Sequence, residues 1–178
     1  MIACDFSTVY ETLPATGWLS KPEALLLWET ARACKGPILE VGTYHGRSTV
    51  LLASLGRLVY SVDPFDGFDD GKTGDEVQAA FNENINNRGL ENVIQYRMLI
   101  EQWMQRWHRL CEFVYLDGNH THQGTVNQIA AARHVKAKAI AIHDVNDGGE
   151  GAEIKRAVLE MLGPWRERVE RLATWQLT

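Results

Sequence analysis

The sequence predicts an α/β protein, a doubly wound three-layer sandwich in which helices cover both faces of a mostly parallel sheet. Short apolar runs alternate along the chain with longer segments of helical periodicity. Strands that alternate with helices in this way pair in parallel through right-handed crossovers. The last apolar segment, residues 169–177, is expected to supply an antiparallel edge strand at the C-terminus.

The first predicted element is a helix that begins at a capping box. Ser20 and Glu23 stand three residues apart, and Pro22 lies in the first turn, where a missing N–H is tolerated. The helix is expected to run to about Cys34.

Strands and helices then alternate to the end of the chain. The core strands are predicted over residues 38–41, 58–62, 93–99, 113–116 and 139–142. The helices between and after them are predicted over residues 48–53, 75–88, 101–109, 123–134 and, following a glycine-rich loop at 148–151, up to about residue 162.

The segment 38–48 reads ILEVGTYHGRS and joins the first core strand to its helix. Gly42 and Gly46 allow positive φ and a close approach of backbone to ligand, and the N–H groups of the helix start offer an electropositive cradle. Glu40 lies beside this cradle, where its carboxylate can accept hydrogen bonds from a ligand ammonium. Asp63, 21 residues after Gly42, ends the second strand, where an acid can hold a ribose diol. The pattern indicates a cofactor loop, and a tight turn without a ligand is the alternative.

Strand, glycine turn, helix, strand and terminal acid, in this order, resemble the class I S-adenosylmethionine (SAM)-dependent methyltransferases over residues 18–145. The resemblance implies a Rossmann-like fold with SAM as cofactor, the methionine end over Gly42 and the adenosine near Asp63. It also places Ile100 and Trp103 where they can sandwich the adenine. The cofactor-binding residues implied in this way are Glu40, Gly42, Thr43, Tyr44, Gly46, Ser48, Asp63, Ile100 and Asp117.

Two acids follow neighbouring strands of the expected sheet. Asp117 ends the fourth strand and Asp144 the fifth, at the carboxyl ends where open α/β sheets bind ligands. Adjacent strands lie roughly 4.8 Å apart, so the two carboxylates can share one ion. Oxygen ligands favour magnesium, calcium or manganese over zinc. The alternative is that each aspartate caps its own turn.

Histidines stand next to both acids. The segments FVYLDGNHTHQG and AIAIHDV resemble the paired DG-x-H and HD motifs of the cephalosporin-biosynthesis and macrolide sugar O-methyltransferases. That resemblance implies Asp117 and Asp144 as magnesium ligands and His120 or His143 as the catalytic base, because neutral imidazole accepts a hydroxyl proton. Successive strand residues face opposite sides, so His143 and Asp144 share a pocket only if the chain bends. A structural role in the loops is the alternative for each histidine.

Composition excludes several classes of protein. The 178 residues suit a single domain, 1–178, with an N-terminal segment, 1–35, ahead of the core, 36–178. A net charge of −5 argues against a nucleic-acid surface and favours small substrates.

Scattered cysteines, without zinc or disulfide spacing, indicate a reducing cytosol. No apolar run reaches the ~20 residues of a membrane helix, and no signal-peptide pattern is present, so a cytoplasmic protein is expected.

The leading functional hypothesis is transfer of a methyl group from SAM to an oxygen of a small hydroxylated acceptor. A nicotinamide-dependent oxidoreductase is less favoured, because the G-x-x-x-G spacing lacks the middle glycine of the dinucleotide fingerprint. A non-catalytic cofactor-binding scaffold or regulatory domain is the third hypothesis. The acceptor is expected to be covered by residues 66–74, by residues 146–151, by the N-terminus or by another subunit, and the last case predicts a homodimer.

Overall fold

A seven-stranded sheet organises the computed structural model, within residues 5–66 and 71–177, which are those that the structure describes. The strands are β1 Ile38–Val41, β2 Val59–Asp63, β3 Val93–Arg97, β4 Phe113–Leu116, β5 Ala139–Ile142, β6 Glu167–Val169 and β7 Leu172–Gln176. Their order is β3-β2-β1-β4-β5-β7-β6. The first five pair in parallel, and β7 runs antiparallel to both β5 and β6.

Helices cover both faces of this sheet. They are α1 Phe6–Glu11, α2 Lys21–Arg32, α3 Arg47–Ala53, α4 Gly74–Asn86, α5 Ile100–Met104, α6 His122–His134 and α7 Gly149–Leu162. Alternate strand residues enter two separate apolar layers: Ile38 packs with α1 to α4, and its neighbour Leu39 packs with α5 to α7. The predicted doubly wound three-layer sandwich is confirmed. No helix among the described residues is long and apolar enough to cross a membrane.

The C-terminal edge differs from the prediction of one strand over residues 169–177. It is a hairpin, in which β7 lies inside the sheet and β6 forms the antiparallel edge. The turn passes through Glu170, whose φ is +50°, and Arg171. Neither residue is one of the glycines, prolines, asparagines or aspartates that usually mark a turn, so the sequence pattern did not separate the two strands.

Three helices also differ from what the sequence predicted. The helix α1 was not predicted, and α7 begins inside the glycine-rich run rather than after it. The predicted helix over 101–109 stops at Met104, beyond which Trp107 turns back to stack on Trp103, with ring centroids 4.9 Å apart, and to contact Tyr60. Within the predicted acceptor cover 66–74, residues 67–70 lie outside the described residues, as does Cys4.

The strand order determines at which strand ends a ligand-binding crevice opens. The chain moves outward from β1 to β2 and β3, then returns to the other side of β1 at β4. This reversal opens a crevice at the carboxyl ends of β1 and β4, which is where open α/β sheets bind ligands.

Candidate cofactor and acceptor site

A cavity of about 980 Å³ occupies the crevice at the carboxyl ends of β1, β2, β4 and β5. This volume is at the upper end of the range for small-molecule sites. We call its two ends the glycine-turn half and the acid–imidazole half. The glycine-turn half is lined by Gly42, Thr43, Tyr44, Ser48, Asp63 and Ile100, and the acid–imidazole half by Asp117, His120, His143, Asp144 and Arg171.

The glycine turn after β1 touches the loop after β4. Gly42 has a φ of +83°, and a Cβ placed on it would lie 2.1 Å from the carbonyl oxygen of Asp117. Gly46 also has a φ of +83°, but a Cβ there would meet the Phe81 ring at 3.0 Å. Gly46 does not line the cavity, and it allows α3 to start against α4. Its predicted cofactor contact stays a prediction.

Asp63 closes the glycine turn from the end of β2. Its Oδ2 accepts hydrogen bonds from the backbone N–H groups of Thr43 and Tyr44, at 2.7 and 3.2 Å, and its Oδ1 accepts from that of Phe65 at 2.8 Å. Burial raises the pKa of Asp63, and these hydrogen bonds oppose the rise. Because a carboxylate has about four acceptor sites, Oδ1 retains capacity on the cavity side. The predicted contact of Asp63 with a ribose stays a prediction.

Glu40 lies beneath the cavity, not on its wall. The side chain is fully buried and accepts hydrogen bonds from the hydroxyls of Ser48, Thr49 and Ser61 at 2.6, 2.6 and 2.9 Å. Burial raises its pKa to about 7, despite these three hydrogen bonds. Because the side chain lies behind the cavity wall, the predicted contact of Glu40 with a ligand stays a prediction. Ser48 does face the cavity, and since its proton is donated to Glu40, its oxygen is left as an acceptor.

Four side chains converge in the acid–imidazole half. His143 Nδ1 lies 3.3 Å from both Asp117 Oδ1 and Asp144 Oδ2. His120 Nε2 approaches the same two oxygens, at 3.9 and 3.6 Å. The objection that His143 and Asp144 face opposite sides does not hold, because β5 ends at Ile142 and Asp144 adopts a φ of +56°. This bend turns both side chains toward Asp117.

The carboxylates favour the protonated form of both imidazoles. Burial alone lowers the pKa of His143, but the charges of Asp117, Asp144 and Glu23 outweigh burial and raise this pKa to about 12. Hydrogen bonding to Asp117 is the main cause that raises the pKa of His120 to about 9. In this arrangement both histidines carry their protons at neutral pH. Their predicted role as catalytic base stays a prediction.

Two residues of this half were not predicted as functional. Glu23, at the third position of α2, is fully buried; its Oε1 lies 3.4 Å from His143 Nε2 and accepts a hydrogen bond from the Arg171 backbone N–H at 3.0 Å. The Arg171 guanidinium contacts Asp144 Oδ1 at 2.8 Å. The capping box explains Glu23 locally, and its side chain does bond the Ser20 N–H, but nothing in the sequence indicates that it also reaches β5.

Comparison with known proteins identifies the family. A methyltransferase domain family matches residues 39–145, which include the glycine turn, Asp63, Asp117, His120, His143 and Asp144 but neither Glu23 nor Arg171. The chain belongs to this family. Its fold is that of the class I SAM-dependent methyltransferases.

Solved structures of low sequence identity share the fold of the methyltransferase. An O-methyltransferase from Bacillus cereus, in complex with S-adenosylhomocysteine (SAH), is 18% identical with a TM-score of 0.66, over 92% of this chain and 82% of that one. The O-methyltransferase TomG from Streptomyces achromogenes, in complex with SAM, is 16% identical with a TM-score of 0.64, over 89% and 78%. A TDP-rhamnose 3'-O-methyltransferase of calicheamicin biosynthesis is 14% identical with a TM-score of 0.66, over 96% and 90%.

Proposed function

We propose that the methyltransferase transfers the methyl group of SAM to an oxygen of a small hydroxylated acceptor. The observation that carries this proposal is the position of the acid–imidazole half in the same cavity as the glycine turn. A polar cluster of carboxylates and imidazoles is suited to orienting a hydroxyl group and handling its proton. The sulfonium of SAM supplies the reactive methyl group, so the protein has mainly to align acceptor and cofactor.

The glycine-turn half is proposed to hold SAM. The start of α3, which no side chain caps, and the Ser48 oxygen are placed for the methionine end, with its carboxylate and ammonium groups. Asp63 and Ile100 line the wall at the ends of β2 and β3, which suits the ribose and adenine. Asp117 completes this half through its backbone contact with Gly42.

The acceptor is proposed to enter the acid–imidazole half. In the site without an ion, His120 is the better candidate for proton transfer, because its side chain is 31% exposed, whereas that of His143 is 1% exposed. Holding the acceptor oxygen, the methyl carbon and the sulfur in line can lower the activation free energy by about 7–11 kcal/mol. The polar side chains of this half therefore act first by positioning.

A divalent ion is part of the proposal, because the donor set fits one. Asp117, His120 and Asp144 each offer one ligand atom, and these three atoms lie within 4.8 Å of one another. These three residues would hold the ion, and a bound ion would lower the pKa of the acceptor hydroxyl.

Substitution of Asp144 tests the proposed role of the acid–imidazole half. With Asp144→Asn we expect SAH to bind within about threefold of its original affinity, because Asp144 lies away from the glycine turn. Methyl transfer should fall by about 100-fold or more, since positioning of the acceptor is lost. SAH binding is measured by calorimetry, and methyl transfer by SAH formation with a panel of sugars, phenols and hydroxylated amino-acid derivatives.

Asp147→Asn is the matched control. Asp147 is exposed, pairs with Lys155 and does not line the cavity, so both measurements should match the original protein. Equal turnover in both variants would contradict the proposed role of the acid–imidazole half. Failure of SAH to bind the unsubstituted chain would contradict the proposed cofactor half as well.

A further inference from the structure

We propose that His143, oriented by Glu23, is a fourth donor at the ion site, and that the site therefore selects a transition-metal ion such as Co²⁺, Fe²⁺ or Zn²⁺ over Mg²⁺. This inference rests on the ion in the proposed function and goes beyond it in ligand set and metal preference. The sequence predicted two carboxylate ligands and a magnesium-type ion. The structure adds two imidazole nitrogens beside the same two carboxylate oxygens, Asp117 Oδ1 and Asp144 Oδ2.

The distances match those between ligands that share one ion. Two ligand atoms about 2.1 Å from an ion are about 3.0 Å apart at a right angle and about 3.4 Å apart at the tetrahedral angle. His143 Nδ1 lies 3.3 Å from each of the two inner oxygens, Asp117 Oδ1 and Asp144 Oδ2. His120 Nε2, at 3.6 and 3.9 Å, must move inward by up to about 0.5 Å, which its partly exposed side chain permits.

Each carboxylate has one oxygen held from outside and one directed inward. Asp117 Oδ2 accepts a hydrogen bond from the Tyr115 hydroxyl at 3.0 Å. Asp144 Oδ1 is held by the Arg171 guanidinium at 2.8 Å. The remaining oxygens are the two that face His143 and His120. Outer partners of this kind fix the direction of a metal-binding carboxylate.

Glu23 gives His143 the environment of a metal-binding histidine. Such histidines usually donate their second ring N–H to a carboxylate, which fixes the tautomer and leaves the other nitrogen for the ion. Glu23 Oε1 lies 3.4 Å from His143 Nε2, which has no hydrogen-bond partner among the described residues, and both side chains are 1% exposed. With Nε2 toward Glu23, Nδ1 faces the two inner oxygens, and an ion that binds there would displace the proton that Nδ1 carries in the ion-free site. Glu23 is a positioning residue, since it acts on the ion through His143.

The composition of the donor set decides the metal preference. Two imidazoles and two carboxylates form a mixed nitrogen–oxygen set, whereas Mg²⁺ favours oxygen ligands and water. Imidazole suits iron, nickel, copper and zinc, and affinity rises along the divalent series from manganese to copper. We therefore expect Co²⁺ to bind at least about tenfold more tightly than Mg²⁺.

The first experiment measures ion binding directly on the purified chain, stripped of metal with a chelator and saturated with SAH. Calorimetric titrations with Co²⁺, Zn²⁺ and Mg²⁺ give the affinity ratio. In the Co²⁺ complex, proton NMR in water should show a paramagnetically shifted N–H signal from His143 Nε2, protected from exchange by burial against Glu23. Neither readout depends on turnover.

Two variants and one control identify the donors. Glu23→Gln keeps one oxygen for the Ser20 N–H of the capping box but loses the acceptor for the Arg171 N–H, so its fold is checked by thermal unfolding. In the folded variant, Co²⁺ affinity should fall about 10–100-fold. His143→Gln should remove the shifted N–H signal and lower the ratio of Co²⁺ to Mg²⁺ affinity. His122→Gln is the control, because His122 forms an exposed pair with Glu160 outside the cavity and should change neither readout.

The outcomes separate this inference from the proposed function. Mg²⁺ binding as tightly as Co²⁺, a shifted N–H signal that survives His143→Gln, or no binding of any ion would each overturn the inference. Methyl transfer with full activity in the chelated protein would overturn the ion but leave the methyltransferase proposal standing. If SAH did not bind to the unsubstituted chain, that result would instead count against the proposed function.

Discussion

Glu40 is a buried carboxyl whose ionisation opposes folding. Its pKa of about 7 in the folded protein exceeds the 4.5 of a free glutamate, so its contribution to stability is fully present below about pH 4.5 and is lost as the pH rises through 7. The Glu40→Gln variant has no carboxyl group to titrate at this position, so we expect its stability not to show this loss with rising pH. The difference in unfolding free energy between the variant and the original protein should grow by about 2–3 kcal/mol from pH 5 to pH 8.

Urea unfolding at several pH values measures this difference. Gln retains an acceptor for the hydroxyls around it, and its amide group can donate to one of them, so the variant should fold. Parallel stability curves for the two proteins over pH 5–8 would show that Glu40 does not titrate as the burial implies.

The sequence predicts those site residues that follow directly from strand ends. Gly42, Asp117 and Asp144 each come at the carboxyl end of a short apolar run, and parallel pairing brings such ends together. Glu23 and Arg171 were missed because their contact joins residues 148 positions apart, in an N-terminal helix and a C-terminal turn. No local pattern carries information about that pairing.

At the scale of elements, the end of α6 offers a test of backbone strain. Lys136 follows the helix with a φ of +56°, and the Lys136 and Ala137 N–H groups bond back to the carbonyls of Arg133 and Ala132. This is the position where helices usually place glycine. Lys136→Gly should stabilise the protein by about 0.5–1 kcal/mol, because relief of the left-handed strain exceeds the added entropy of the unfolded chain.

Thermal unfolding of Lys136→Gly and Lys136→Ala separates backbone strain from loss of the lysine side chain. The alanine variant keeps the strained φ, so it should gain nothing. Equal stability of the two variants would assign any effect to the side chain.

Elements that are buried on both faces were the most predictable. The strands β1, β4 and β5 have their predicted bounds. Continuous apolar runs flanked by polar residues define β4 and β5, and Pro37 and Gly42 delimit β1. The β6–β7 turn and the end of α5 depend on tertiary contacts instead, the latter on the packing of Trp107 against Tyr60. Sequence periodicity does not register such contacts.

At the scale of the molecule, the cavity spans the carboxyl ends of four strands, so a ligand that fills it stabilises the whole sheet. SAH at 100 times its dissociation constant should add about 2.7 kcal/mol to the unfolding free energy. For a domain of this size, that corresponds to a rise in Tm of about 5–10 °C. Differential scanning fluorimetry measures the shift, with NADH as the control ligand. An equal shift with NADH would favour the oxidoreductase alternative.

The contact between Glu23 and His143 also bears on where this protein can be cut. The helix α2 lies in the segment that precedes the first core strand, and it supplies the carboxylate that lies behind the buried imidazole of His143. A chain shortened to residues 36–178 would keep every strand of the sheet but leave His143 without that partner. The N-terminal helix is therefore a component of the acid–imidazole half, and truncation or fusion at residue 36 removes part of the site.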